Sequence, residues 1–179
     1  MSTLTPRQLL AGAAATLLLG GGSTVAVAAA SGAFNDTSCA TPRLSGAVVR
    51  VTEIDMAHMP MGMTGGWPGM MRLLARPTTH AGTVSFLVRN AGSRAHELVV
   101  LPLPGGTPAG ARHAGVNGRV DESGSLGEAS RSCGAGTGEG IKAGATGWVT
   151  LNLAAGRYEL ICNLKNHYTS GMFGELDVQ

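Results

Sequence analysis

The stretch GRYELICNLKNHYTSGMFGELDVQ, residues 156–179, closes the chain and contains its strongest structural signal. Apolar and polar residues alternate on both sides of a polar loop, which predicts two short strands joined at that loop. Cys162 ends the first strand, His167 lies in the loop and Met172 opens the second strand, in the pattern Cys-x4-His-x4-Met. One segment therefore offers a thiolate, an imidazole and a thioether to a single metal ion.

A second imidazole comes from far upstream in the chain. His96 follows a turn at residues 91–94 and begins a predicted strand at residues 97–101. His96, Cys162 and Met172 are each in phase with apolar neighbours of their own strand, so all three side chains are expected to point into the core. Two histidines and a cysteine with a weak axial methionine are the ligands of a type 1 (blue) copper site, which transfers single electrons.

The rest of the chain is predicted to be β-structure with many turns. Short alternating strands separated by turn residues are typical of an antiparallel β-sandwich. Residues 102–143 are rich in glycine, proline, serine and aspartate, which predicts a long loop insertion. Strands are predicted at residues 46–53, 82–90, 97–101, 147–153, 156–162 and 172–178.

The N-terminal residues differ in composition from the remainder. Arg7 is the only charge before an apolar run at residues 9–19, and small residues then lead to an Ala-x-Ala site at residues 28–30. This pattern predicts a signal peptide over residues 1–30, with an uncleaved membrane anchor as the alternative. A flexible lead-in over residues 31–45 follows. In either case the working domain is expected outside the cytoplasm, in the periplasm, at the cell surface or secreted.

Two segments resemble the ligand-bearing parts of the plastocyanin/azurin-type cupredoxin family: NAGSRAHELVVLPL (residues 90–103) and YELICNLKNHYTSGMFGELDV (residues 158–178). The wide spacing of cysteine, histidine and methionine is closest to the rusticyanin and sulfocyanin branch. The resemblance implies a Greek-key cupredoxin domain over residues 46–179. It also implies an electron carrier of a respiratory or copper-handling chain. By this resemblance the equatorial ligands are His96, Cys162 and His167, and the axial ligand is Met172.

The chain departs from the family pattern at two places. Glu97 stands where many members have asparagine or serine after the first histidine, and the insertion at residues 102–143 has no counterpart in the compact members. Redox proteins of the cytochrome or oxidase class are the expected partners, docking near His167 beside Tyr168 and Phe173, which are interpreted as surface residues. A membrane contact is expected only if the N-terminal segment is retained.

Other functions are disfavoured by charge and by the placement of histidines. The formal net charge is +2 and no cluster of lysine or arginine occurs, so nucleic acid is not an expected partner. The five histidines form no His-x-His pair of the kind that a trinuclear copper centre needs, and the chain is predicted not to be an enzyme. His80 and His113 lack companions at ligand spacing and are interpreted as surface residues.

A methionine-rich stretch at residues 56–71 keeps a second function open. Thioethers and imidazole bind Cu(I), so a weak secondary Cu(I) site is one interpretation. The stretch would then favour a copper chaperone or sensor over an electron carrier. The other interpretation is that these methionines fill gaps under a loop or form an adaptable apolar contact surface. The candidate ligands of the secondary site are Met56, His58, Met59, Met61 and Met63.

Three cysteines in an exported chain leave at least one outside any internal disulfide. If Cys162 binds copper, Cys39 and Cys133 remain. They either form a disulfide between the lead-in and the insertion or stay as two thiols, and the sequence leaves both outcomes open.

Overall fold

A computed structural model of the chain describes residues 39–55 and 71–179. Within these residues the structure contains β-strands, one 3-10 turn at Tyr168–Ser170 and no α-helix. Alternating apolar and polar residues explain most of the strands, because successive side chains point to opposite faces. The strands are β1 (Ala47–Asp55), β2 (Met71–Ala75), β3 (Thr78–Thr79), β4 (Gly82–Asn90), β5 (Leu98–Pro102), β6 (Gly127–Ala129), β7 (Thr146–Leu153), β8 (Gly156–Ile161) and β9 (Phe173–Val178).

The strands form two sheets. One sheet has the order β2-β1-β4-β7 and the other has the order β3-β9-β8-β5-β6. Most neighbours are antiparallel, but β1 pairs with β4 and β3 pairs with β9 in parallel. The chain crosses repeatedly from one sheet to the other, so the predicted all-β Greek-key sandwich is confirmed.

The two sheets enclose an apolar core. In β4 the side chains of Val84, Phe86 and Val88 are fully buried, as their alternation predicts. Valines and leucines of the facing strands fill the same layer, and burial of this apolar surface is the main stabilising contribution to the fold. The core also includes Val49, Val51, Leu73, Leu98, Val100, Leu153, Leu160, Leu176 and Val178.

The insertion is more ordered than the sequence indicates. It contains β6, which pairs with β5, and it lies over the outer face of the second sheet. A second apolar cluster forms there from Val99, Leu101, Val120, Ile161 and Tyr168. The prediction of a loop throughout residues 102–143 is therefore wrong at β6. The insertion covers Val99, Leu101 and Ile161 on the outer face of β5 and β8, because exposed apolar side chains need a cover.

Part of the methionine-rich stretch is a strand. Met71 begins β2, pairs with Asp55 of β1 and is 7% exposed, so this methionine packs in the core. The sequence did not predict β2, because its five residues follow a segment broken by glycine and proline. The candidate Cu(I) ligands Met56, His58, Met59, Met61 and Met63 lie outside the described residues.

The structure joins Cys39 to Cys133 by a disulfide, with the Cα atoms 5.0 Å apart, while Cys162 is a buried thiol. The bond ties the lead-in to the insertion. We expect the purified protein to show the same pairing. Its intact mass should rise by two hydrogens on reduction, and alkylation before reduction should leave both residues unmodified. Modification of Cys39 and Cys133 without reductant would contradict the pairing.

The N-terminal predictions fall elsewhere in the chain. The signal peptide over residues 1–30, and residues 31–38 of the lead-in, lie outside the described residues. In the part that the structure describes, no helix has the length and apolar character needed to cross a membrane.

Candidate metal centre

The register of three neighbouring strands brings the predicted ligands together at one end of the sandwich. Strand β8 lies between β5 and β9, and the β8–β9 pairing ends at Ile161 opposite Phe173. Cys162 and Met172 are the next residues of the two strands, and the Cys162 N–H donates to the Met172 carbonyl at 3.0 Å. His96 lies two residues before β5, which pairs with β8, so the register of these two strands places it near Cys162.

Three donor atoms converge in the interior. His96 Nδ1 lies 3.2 Å from His167 Nδ1, and Cys162 Sγ lies 3.2 Å from His167 Nδ1 and 4.0 Å from His96 Nδ1. Among the histidine, cysteine and acidic side chains that the structure describes, His96, Cys162 and His167 lie close enough together to hold a metal ion. The structure thus brings together the three ligands that the sequence predicted to be equatorial.

The spacing fits a metal ion. Metal–imidazole and metal–thiolate bonds of about 2.0–2.3 Å place the donor atoms of a trigonal or flattened tetrahedral site about 3.2–4.0 Å apart. Met172 is fully buried, and its N–H donates to the His167 carbonyl at 3.2 Å, so its backbone lies beside the ligand loop. Two imidazoles and one thiolate suit copper better than magnesium or calcium, which prefer oxygen ligands.

The turn before His96 is held by a buried asparagine. Asn90 Nδ2 donates to the Arg94 carbonyl at 2.6 Å and to the Ile141 carbonyl at 2.7 Å. Ile141 also exchanges backbone hydrogen bonds with His96, at 3.1 and 2.6 Å. The end of the insertion therefore fixes the backbone of the first histidine.

The insertion also holds the ligand loop. Asn163, next to Cys162, receives the Val120 N–H at 2.8 Å and donates to the Val120 carbonyl at 2.9 Å and to Glu122. Farther along the loop, the Asn166 N–H donates to the Asn117 carbonyl at 3.0 Å. These contacts join the insertion to the ligand loop. The insertion, which departs from the compact family pattern, therefore supports the site in this chain.

Electrostatics favour neutral histidines. Burial lowers the pKa of His167 to about 4, with a further contribution from His96. Burial also lowers the pKa of His96, although Asp55 opposes this effect. Both imidazoles are neutral at pH 7 and keep a lone pair for a metal. Burial raises the pKa of the Cys162 thiol well above its usual value, so metal binding must displace its proton.

Asp55 is an acidic residue that contacts the site and that the sequence analysis did not single out. Asp55 Oδ2 lies 3.2 Å from His96 Nε2. Burial opposes its ionisation, but hydrogen bonds from Arg94, Ser93 and His96 outweigh that effect and lower its pKa to about 2. The signal that could have found Asp55 is strand phase, because it shares the inward face of β1 with Val51 and Glu53.

Glu97 acts through its backbone. Its N–H donates to Cys162 Sγ at 3.3 Å, a contact that depends on the main chain and not on the side chain. The side chain is 8% exposed; burial and the neighbouring Glu122 and Glu128 raise its pKa to about 7. The replacement of asparagine or serine by glutamate at this position therefore leaves one hydrogen bond to the thiolate in place.

The surface near His167 is more closed than predicted. His167 is 7% exposed, His96 and Cys162 are fully buried, and Tyr168 is 3% exposed. The interpretation of Tyr168 as a surface residue is wrong, because the insertion covers it and its hydroxyl donates to Glu159 at 3.0 Å. Phe173 is half-buried, whereas His80 and His113 are exposed, as expected for residues outside the site.

Glu53 is a buried acid behind the site. Its side chain is fully buried, and neither carboxyl oxygen has a hydrogen-bond partner in the described part of the chain. Burial, with a smaller contribution from Glu97, raises its pKa well above the usual value, so the carboxyl is protonated in the folded protein.

This acid should make stability fall as the pH rises. An unfolded glutamate loses its proton near pH 4.3, while Glu53 keeps it in the fold, so the stabilising difference is present below about pH 4.3 and is lost above it. We expect copper-free wild type to lose stability relative to Glu53→Gln by up to about 1.4 kcal/mol per pH unit above that point. Denaturant unfolding of both proteins between pH 4.5 and 8 measures this. A stability difference between the two proteins that stays constant over this pH range would contradict the prediction.

The two-sheet sandwich with a buried His-Cys-His group at one end is a cupredoxin-like fold. This class of fold follows from the topology and the donor set of the chain itself. The resemblance to cupredoxins predicted from the sequence is confirmed at the level of the fold.

Solved structures of rusticyanin and auracyanin are similar to the chain. Reduced rusticyanin has 24% identity and a TM-score of 0.43 over 75% of this chain and 81% of that chain. Rusticyanin from Thiobacillus ferrooxidans has 24% identity and a TM-score of 0.43, over 75% and 79%. Auracyanin from the photosynthetic bacterium Roseiflexus castenholzii has 14% identity and a TM-score of 0.45, over 76% and 99%. No family model matches the chain, and no curated protein matches it.

Proposed function

We propose that this chain is an exported type 1 copper protein that carries single electrons between redox partners. The observation that carries the proposal is the convergence of His96 Nδ1, Cys162 Sγ and His167 Nδ1 within 4.0 Å in the protein interior. The equatorial ligands would be these three residues and the axial ligand Met172. Bound copper would supply a Cu(II)/Cu(I) couple at this site.

The residues around the donor atoms suit repeated electron transfer. The ligands come from strand ends and a hydrogen-bonded loop, so their positions are fixed by the sheet and by the insertion. A rigid site changes its geometry little between oxidation states, which keeps the barrier to electron transfer low. The Glu97 N–H donates to the sulfur, and such hydrogen bonds tune the potential of the site.

The proposal extends to location and partners. Residues 1–30 would direct export, and the domain over residues 46–179 would work outside the cytoplasm. His167 is the least covered of the three converging ligands, so electrons would pass through its imidazole to a redox protein docked over it. A cytochrome or an oxidase is the proposed class of partner.

Addition of Cu(II) to the purified domain tests the proposal. We expect one copper per chain, an intense absorption band in the red from thiolate-to-copper charge transfer and narrow copper hyperfine splitting in the EPR spectrum. Voltammetry should then show a reversible one-electron couple. A colourless protein with an ordinary type 2 spectrum would overturn the proposal. A second equivalent bound as Cu(I), and lost on replacement of Met59 and Met61, would favour the chaperone alternative.

A further inference from the structure

The last residue of β1 directs a carboxylate at the first histidine. Asp55 shares the inward phase of its strand with Val49, Val51 and Glu53, and its side chain is 2% exposed. Its Oδ2 atom lies 3.2 Å from Nε2 of the fully buried His96. This is the ring nitrogen of His96 that faces away from Cys162 and His167.

The turn before His96 holds this carboxylate in place. Oδ2 accepts the Ser93 N–H at 2.6 Å and the Arg94 N–H at 2.8 Å, while Oδ1 accepts the Ser93 hydroxyl at 2.7 Å. With the imidazole, four donors converge on one carboxylate. Asp55 therefore cannot rotate away from His96 unless the turn also opens.

A glycine in the same turn makes the close approach feasible. A Cβ atom at Gly92 would lie 2.4 Å from Asp55 Oδ2 and 2.9 Å from His96 Nε2. Both separations are too short for atoms that are not bonded. Any side chain at this position would separate the carboxylate from the imidazole, so the turn has the one residue type that permits their hydrogen bond.

The hydrogen bond decides which nitrogen of His96 carries the proton. A carboxylate only accepts hydrogen bonds, so Nε2 must be the donor and Nδ1 must keep its lone pair. That lone pair points toward Cys162 Sγ and His167 Nδ1, where a metal would bind. A histidine ligand whose other nitrogen donates to a carboxylate is also a stronger donor to the metal.

We propose that Asp55 is a positioning residue that fixes the tautomer and orientation of His96 and, by its negative charge, favours the Cu(II) state over the Cu(I) state. The inference rests on the proposed function as a copper protein. The charge acts through one fully buried imidazole ring, across which screening by water is weaker than at the surface. Cu(II), with the higher charge, gains more from it than Cu(I).

Three variants separate the effect of the Asp55 charge from the effect of its hydrogen bond to His96. Asp55→Asn keeps an oxygen that can accept the His96 hydrogen bond and removes the charge, whereas Asp55→Ala removes both. Asp177→Asn is the control, because it removes one carboxylate near the far end of β9 without touching the site. For Asp55→Asn we expect affinity for Cu(II) to fall about 10–100-fold, and affinity for Cu(I) to fall less. The reduction potential should rise by about 59 mV for each tenfold change in the ratio of the two affinities.

A second readout needs no copper. Nitrogen NMR of the copper-free wild type should show His96 protonated at Nε2, with the same tautomer in Asp55→Asn and a mixture in Asp55→Ala. The proposal is overturned if His96 of the wild type is protonated at Nδ1, or if Asp55→Asn leaves the potential at the value of Asp177→Asn. A wild type with the expected tautomer but no type 1 spectrum would instead overturn the proposed function, so the two failures are distinguishable.

Discussion

Cys162→Ser should remove the intense red absorption of the copper-loaded protein completely. The band requires charge transfer from a thiolate sulfur, and a serine oxygen supplies neither the soft ligand nor the transition. His96 and His167 would remain with their Nδ1 atoms 3.2 Å apart, so the variant should still bind Cu(II) and show an ordinary type 2 EPR spectrum. Absorption and EPR spectroscopy of the two proteins at equal copper content measure the difference.

Met172→Leu is the matched control, because leucine is close to methionine in volume and lacks the sulfur. This variant keeps the thiolate and both imidazoles, so the red band should persist. Loss of an axial donor destabilises Cu(II) more than Cu(I), so the reduction potential should rise. A red band that survives in Cys162→Ser, or disappears in Met172→Leu alone, would contradict the assigned roles.

Arg112→Met should produce the largest loss of stability outside the apolar core. Arg112 Nε donates to Glu159 Oε2 at 2.5 Å, and the Glu159 side chain is fully buried under the insertion. Removing the cation leaves a buried carboxylate without its partner, which costs about 3–5 kcal/mol. The same glutamate accepts from the Gly110 N–H and the Tyr168 hydroxyl, so the insertion and the ligand loop should loosen together.

Denaturant unfolding of copper-free protein measures this loss. The double variant Arg112→Met/Glu159→Leu should recover most of the stability, because well-packed apolar residues often replace a buried ion pair at little cost. Arg157→Met is the control, since its pair with Glu175 is about one-third exposed on each side and surface ion pairs contribute little. Equal losses of stability in Arg112→Met and Arg157→Met would show that the buried Glu159 does not need its ion pair with Arg112.

The sequence predicts the parts of this protein that depend on local pattern. Alternation along residues 82–90 predicts β4 with its bounds, and it predicts that Val84, Phe86 and Val88 face the core. The spacing of Cys162, His167 and Met172 places three candidate ligands around one loop, because a strand that ends at a loop delivers its last residues to one point. The choice of His96 as the distant ligand follows from its being in phase with Leu98 and Val100 of β5.

The tertiary structure decides which segments meet, and strand phase does not contain that information. Phase indicates that Glu159 faces away from the core, but only the fold of the insertion shows that this face is covered and that Arg112 reaches it. Phase places Asp55 on the inward side of β1, but its contact with His96 depends on the parallel pairing of β1 with β4 and on the turn that follows β4. Contacts of this kind join residues about 40 or more positions apart, and their register is set by packing of the whole sandwich.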